Sequence, residues 1–86
     1  MTGSEKMNYI QTIKNGDTVY SVFSKKKASG GTIVTSYGIC AENSSDAVYV
    51  PDITTVPEIA LCMMRLFSSD RIAPGRIEEA VKILTN

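Results

Sequence analysis

Three consecutive lysines, Lys25-Lys26-Lys27, run into Ala28-Ser29-Gly30-Gly31 and form the longest stretch of like charge in the chain. Three adjacent ammonium groups attract anions, so Lys25, Lys26 and Lys27 are the candidate contact for a polyanion. The stretch lacks the spacing of a phosphate-binding loop, and no aromatic residue is interleaved with it for base stacking. Its plainer reading is a solvated hairpin loop. Asp52 stands where a strand gives way to a helix. There it serves either as an acid or recognition carboxylate, or as a turn or capping residue that satisfies free backbone donors. Cys40 and Cys62 supply the thiols, and the chain has no histidine. That removes the usual general base and the commonest zinc ligand. Two cysteines 22 positions apart make no metal site by themselves, and neither sits in a motif that would activate a nucleophile. Both are expected to be reduced and buried. No catalytic residue, metal ligand or cofactor site is assigned, and the chain is expected not to be an enzyme.

Nine basic and nine acidic side chains cancel, so the basic excess that marks a nucleic-acid module is missing. The 86 residues suit one domain, 1–86, with a modest core. Residues 1–7 read as a flexible tail. No apolar run is long enough to span a bilayer, and no signal-peptide pattern opens the chain. The expected location is cytoplasmic, with no membrane association.

A change of hydrophobic period near residue 54 separates a strand-rich first part from a helical second part. Tyr9 to Ile13 and Asp17 to Ser24 read as two strands joined at Asn15-Gly16, a strong two-residue hairpin signal. That turn sets Lys14 opposite Asp17, Gln11 opposite Tyr20, and Tyr9 opposite Val22. One face then carries Tyr9, Ile13, Tyr20 and Val22, and the other carries Ile10, Val19 and Phe23. Both faces are partly apolar, which leaves open which of them is the core. Lys25 to Gly31 is expected as a loop, Thr32 to Glu42 as a third strand, and Asp46 to Ile53 as a fourth. Pro51, which lacks a donor, suits an edge position or the strand's end. Tyr9, Tyr20, Tyr37 and Tyr49 fit core positions or cross-strand pairs better than a ligand-stacking surface. The fold class is α+β: an antiparallel meander of about four strands, followed by two C-terminal helices packed on the sheet.

The first helix is expected over Val56 to Ser68, with Thr54 or Thr55 as its cap, Pro57 in its first turn and Glu58 at the positive end of the dipole. Val56, Ile59, Ala60, Met63 and Phe67 form the centre of a broad apolar arc. Cys62 and Leu66 widen it on one side, Leu61 and Met64 on the other, leaving a narrow polar strip of Glu58, Arg65 and Ser68. The second helix, from Pro74 to about Leu84, has the slimmer stripe Ile77, Ala80, Val81 and Leu84. One sheet face and one slim helix leave a flank of the first helix uncovered, either Leu61 with Met64 or Cys62 with Leu66. Those four residues are the candidate protein interface.

Tyr37-Gly38-Ile39, then Pro51-Asp52-Ile53-Thr54, an apolar helix and an Ala73-Pro74 helix start form a series over about residues 30–86. It resembles a family of short Firmicute proteins of unknown function. These carry a Tyr-Gly-Ile strand, an Asp-Ile-Ser/Thr helix entry and a proline-opened last helix. Ala73 departs from the commoner capping serine, and the last helix has fewer acidic residues. The resemblance implies a fold pattern and a bacterial source, without a mechanism.

The expected function is a small non-catalytic protein-interaction or regulatory module, as a homodimer or as an inhibitor of a larger bacterial protein. The alternative is a nucleic-acid accessory protein acting through Lys25 to Lys27, which the charge balance disfavours.

Overall fold

The computed structural model describes residues 8–85; the expected tail, 1–7, lies outside them. Four strands form one antiparallel sheet: β1 (Asn8–Asn15), β2 (Thr18–Ser29), β3 (Thr32–Glu42) and β4 (Ala47–Thr54). Their order in the sheet is their order in the chain. Helix α1 (Pro57–Ser69) follows, then one 3₁₀ turn (Pro74–Arg76) that continues into α2 (Ile77–Thr85). The fold is the expected α+β meander with two C-terminal helices on the sheet.

The first hairpin turns one residue later than expected. Asn15 pairs with Thr18, so the turn is Gly16-Asp17, and Lys14, Gln11 and Tyr9 meet Val19, Val22 and Phe23. Only the first central residue, Gly16, has positive φ (68°), the pattern of a Gly-X type II′ turn. Asn15 stays in the strand because its side chain has tertiary work: Nδ2 donates to the Ser68 carbonyl at 2.7 Å, tying the hairpin to the end of α1. A bulge at Ile10 then shifts the register. The extra residue moves Tyr9 off the Tyr20/Val22 face and onto the face of Phe23.

The Lys25–Gly31 loop is absent. Strand β2 continues through Ser29, and Gly30-Gly31 alone make the turn, with φ of 57° and 81°. Two successive positive φ values are what a type I′ hairpin needs, and two glycines adopt them without steric cost. The β3–β4 loop is held by Asn43, whose Oδ1 accepts the backbone N–H groups of Ser45 and Asp46, each at 2.8 Å. Pro51 lies, as expected, on the edge strand β4.

The sheet's core face is that of Tyr20, Val22, Ile39 and Ala41. It meets Ala60, Met63, Met64 and Phe67 of α1 and Ile77 and Val81 of α2. Burial of large apolar side chains here contributes roughly 1.5–3 kcal/mol each. The Tyr20 hydroxyl, deep in this layer, donates to the Ile72 carbonyl at 2.7 Å. Helix α1 ends in a Schellman arrangement: Ile72 N–H reaches the Phe67 carbonyl and Arg71 N–H that of Ser68, at 3.0 and 3.2 Å. Arg71 occupies the left-handed position (φ 53°) usually given to glycine.

Candidate functional site

Helix α1 begins at Pro57 behind Val56, and no side chain caps its free donors. Thr54 Oγ1 instead accepts the N–H of Val56, at 3.0 Å, just outside the helix. The helix buries Ala60, Met63, Met64, Phe67 and Ser68. The centre of its buried face is therefore rotated from the expected arc toward Met64 and Ala60. Met64 is fully buried and Leu61 is half-buried against the core, so this pair is core and not interface. Ser68, expected on the polar strip, is also buried, and its carbonyl accepts from Asn15.

The opposite flank is open. Ile59 is 48 % exposed and Leu66 46 %, with the exposed Cys62 between them. Leu84 of α2 is 48 % exposed beside them, although it belongs to the expected buried stripe of α2. Ile59, Cys62, Met63, Leu66 and Leu84 line an apolar groove of about 450 Å³ between the helices, with Glu58 and Thr85 at its margin. Of the four candidate interface residues, Cys62 and Leu66 thus share one open surface. Ile59 and Leu84 belong to it too. Their apolar spacing was visible in the sequence, but which stripe residues α2 would leave open depends on where the two helices cross.

Cys62 is not the buried thiol expected of it. Cys40 is buried, and burial pushes its pKa up, keeping it protonated and unreactive. It belongs to a second, small cluster on the helix-free side of the sheet. Phe23, 1 % exposed, lies between Tyr9 and Tyr49, which meet it edge-on with centroids 6.5 and 6.1 Å away. The Tyr9 hydroxyl first, and the Cys40 thiol next, raise the Tyr49 pKa well above the usual tyrosine value. Gly38 pairs with Phe23 across the strands and has no side chain to collide with the ring.

Beside this cluster, β4 bulges. Tyr37 pairs with Thr54 and Ile39 with Val50, so Pro51, Asp52 and Ile53 span the one residue Gly38. Asp52 takes positive φ (63°) there. Both of its carboxylate oxygens accept from Lys27 Nζ, at 2.9 and 2.8 Å, and Oδ1 accepts from Ser36 Oγ at 2.7 Å. The Lys27 bond first, and the Ser36 bond next, hold the carboxyl below its usual range. Asp52 is therefore a strand-bulge clamp, neither a helix cap nor a free acid.

The lysines are strand residues and do not act as one patch. Side chains alternate along a strand, so Lys26 faces away from Lys25 and Lys27. Lys25, Lys27, Ser36, Pro51 and Asp52 line a small depression, and Lys27 is engaged by Asp52. Tyr9 and Tyr49, about half exposed, lie on the Lys25/Lys27 side of the sheet.

Among the described residues no helix is long and apolar enough to cross a membrane. No three His, Cys, Asp or Glu side chains among them gather where one metal ion would be held. No family model matches the chain, and neither a curated protein nor a solved structure matches it.

Proposed function

We propose that the protein is a small, non-catalytic interaction module of the cytoplasm whose contact surface is the open flank of α1 with the adjoining groove. The observation that carries this reading is the exposure of Ile59, Cys62, Leu66 and Leu84 around one apolar groove. A chain of 86 residues has little apolar surface to leave uncovered, because its stability margin is small. Contiguous apolar side chains at a rim with charged Glu58 and Arg65 are the composition of a protein contact. The likeness to short proteins of unknown function adds a bacterial source to this reading and no chemistry.

The test is a pair of substitutions, Ile59→Asp and Leu66→Asp, each followed by thermal melting and by affinity capture from the host with identification by mass spectrometry. The expected result is a melting temperature no lower than that of dilute wild type, with loss of one identified partner, a second copy of the chain included. A fall of many degrees in both variants would place the flank in the core and remove the reading. A partner retained equally by wild type and variants would do the same.

A second reading, a nucleic-acid accessory, is favoured by one observation: Tyr9 and Tyr49 share a sheet side with Lys25 and Lys27. Against it stand the zero net charge and the ion pair that occupies Lys27. Binding of a single-stranded oligonucleotide that weakens steeply with salt would support it; no binding at low salt would end it.

A further inference from the structure

We infer that the occupant of the α1 flank is a second copy of this chain, its α1 packed antiparallel across a twofold axis near Cys62. The inference rests on the interaction-module reading and adds the partner and its orientation.

The argument comes from the order of residues on the helix surface. Ile59 and Leu66 are seven apart, two turns and about 10 Å along the axis, and so lie nearly in line. Cys62 sits between them, close to the midpoint. Glu58 and Arg65 are also seven apart, in line with each other, and border the same side of the apolar stripe. Both are exposed. Among the described residues neither has an oppositely charged group within ion-pair reach in its own chain.

A twofold axis perpendicular to α1 near residue 62 exchanges the two ends of this pattern. Ile59 then faces Leu66 of the second copy, and Glu58 faces Arg65 of the second copy. Both pairs form twice, because a twofold contact is isologous. The second copy's Leu66 enters at the mouth of the groove beside Ile59 and Leu84. A parallel pairing instead carries the Glu58/Arg65 border of the two copies to opposite sides of the contact, where the two charges do not meet. The stripe alone fits any apolar partner. The charge order on its border makes it complementary to itself in one orientation.

Two measurements on the full chain test this. The first is sedimentation equilibrium of wild type, Glu58→Arg, Arg65→Glu and the double exchange. Each single reversal replaces two attractive pairs by two repulsive ones and is expected to weaken dimerisation about tenfold. The double exchange is expected to restore it. The second uses a short bismaleimide, which is expected to join two chains through Cys62 in wild type and not in Cys62→Ser. Cys40, buried on the other side of the sheet, does not substitute for it.

A wild-type chain that stays monomeric at high micromolar concentration overturns the inference. So does a dimer that is insensitive to both reversals, or one in which Cys62 is not cross-linked. The interaction-module reading fails on a different result, namely a Leu66→Asp variant that melts far below a dilute, monomeric wild-type sample. A monomer in which Leu66→Asp melts like wild type therefore removes the twofold pairing and leaves the open flank in place.

Discussion

Gly38→Ala is the substitution that most directly probes how the two sides of the sheet are locked together. A methyl group at residue 38 would stand 2.5 Å from the Val50 carbonyl oxygen, 2.7 Å from Phe23 Cζ and 2.8 Å from Pro51 Cα. All three must retreat by more than half an ångström to reach ordinary contact distance. Two of them are backbone atoms of the β4 bulge and cannot swing aside as a side-chain tip can. Overpacking of this kind costs about 1–3 kcal/mol, and the backbone contacts place Gly38→Ala at the upper end. A chain of this length has roughly 4–13 kcal/mol of total stability. The expected fall in melting temperature is roughly 10–20 °C. With no tryptophan in the chain, the clearest local reporter is the near-ultraviolet dichroism of Tyr9 and Tyr49, which flank Phe23. It is expected to weaken along with the loss of stability. Adding Phe23→Leu removes the ring contact and is expected to recover part of the loss, because the Val50 and Pro51 contacts remain. An alanine variant that melts with wild type and keeps its tyrosine dichroism would refute the account of Gly38.

Alkaline titration tests three buried or bonded groups together. Burial raises the pKa values of Tyr20 and Cys40, and the Tyr9 hydroxyl and Cys40 thiol beside it raise that of Tyr49. The folded chain holds these protons more tightly than the unfolded one. Stability is therefore intact below roughly pH 8.5 and is lost as pH rises through the raised values. Urea midpoints should decline there, less steeply in Tyr49→Phe; a flat profile well above pH ~10 contradicts the placement. Asp52 has the opposite sign: its lowered pKa gives a contribution present above about pH 4 and lost as pH falls through the folded value. Lys27→Ala should lower the melting temperature slightly, and the loss should shrink in high salt. Lys26→Ala should change nothing. Equal effects at the two positions would contradict the ion pair. Arg71→Gly, at φ 53°, should raise stability by about 0.5–1 kcal/mol, measured by urea unfolding.

Strand and helix boundaries were legible within a residue or two where periodicity and turn residues agreed, as in Thr32–Glu42 and the first helix. The misplaced features each depend on a contact far away in sequence. The turn at Gly16-Asp17 follows from Asn15 bonding to Ser68, 53 residues on. The lysines read as a loop because like charges in a row suit solvent. They remain in strand because β3 pairs with them along their whole length and Asp52, in the β4 bulge, neutralises Lys27. The bulge at Ile10, which carries Tyr9 to Phe23, has no local signal at all. On α1 the breadth of the apolar arc announced an uncovered flank. Choosing Cys62 with Leu66 over Leu61 with Met64 required the crossing positions of α1, α2 and the sheet, which depend on shapes of side chains that periodicity does not contain.

The open flank of α1 is the central claim, and light scattering with thermal melting of wild type and Leu66→Asp tests it most directly. Leu66 is about half exposed, so its replacement by aspartate removes little burial within one chain. It does place a charge in any contact made through the flank. The account predicts a wild-type mass that rises toward twice the chain mass with concentration. The variant is expected to stay monomeric and to melt no lower than a dilute wild-type sample. A variant that melts far below wild type while both remain monomeric would contradict it, because Leu66 would then be an ordinary part of the core.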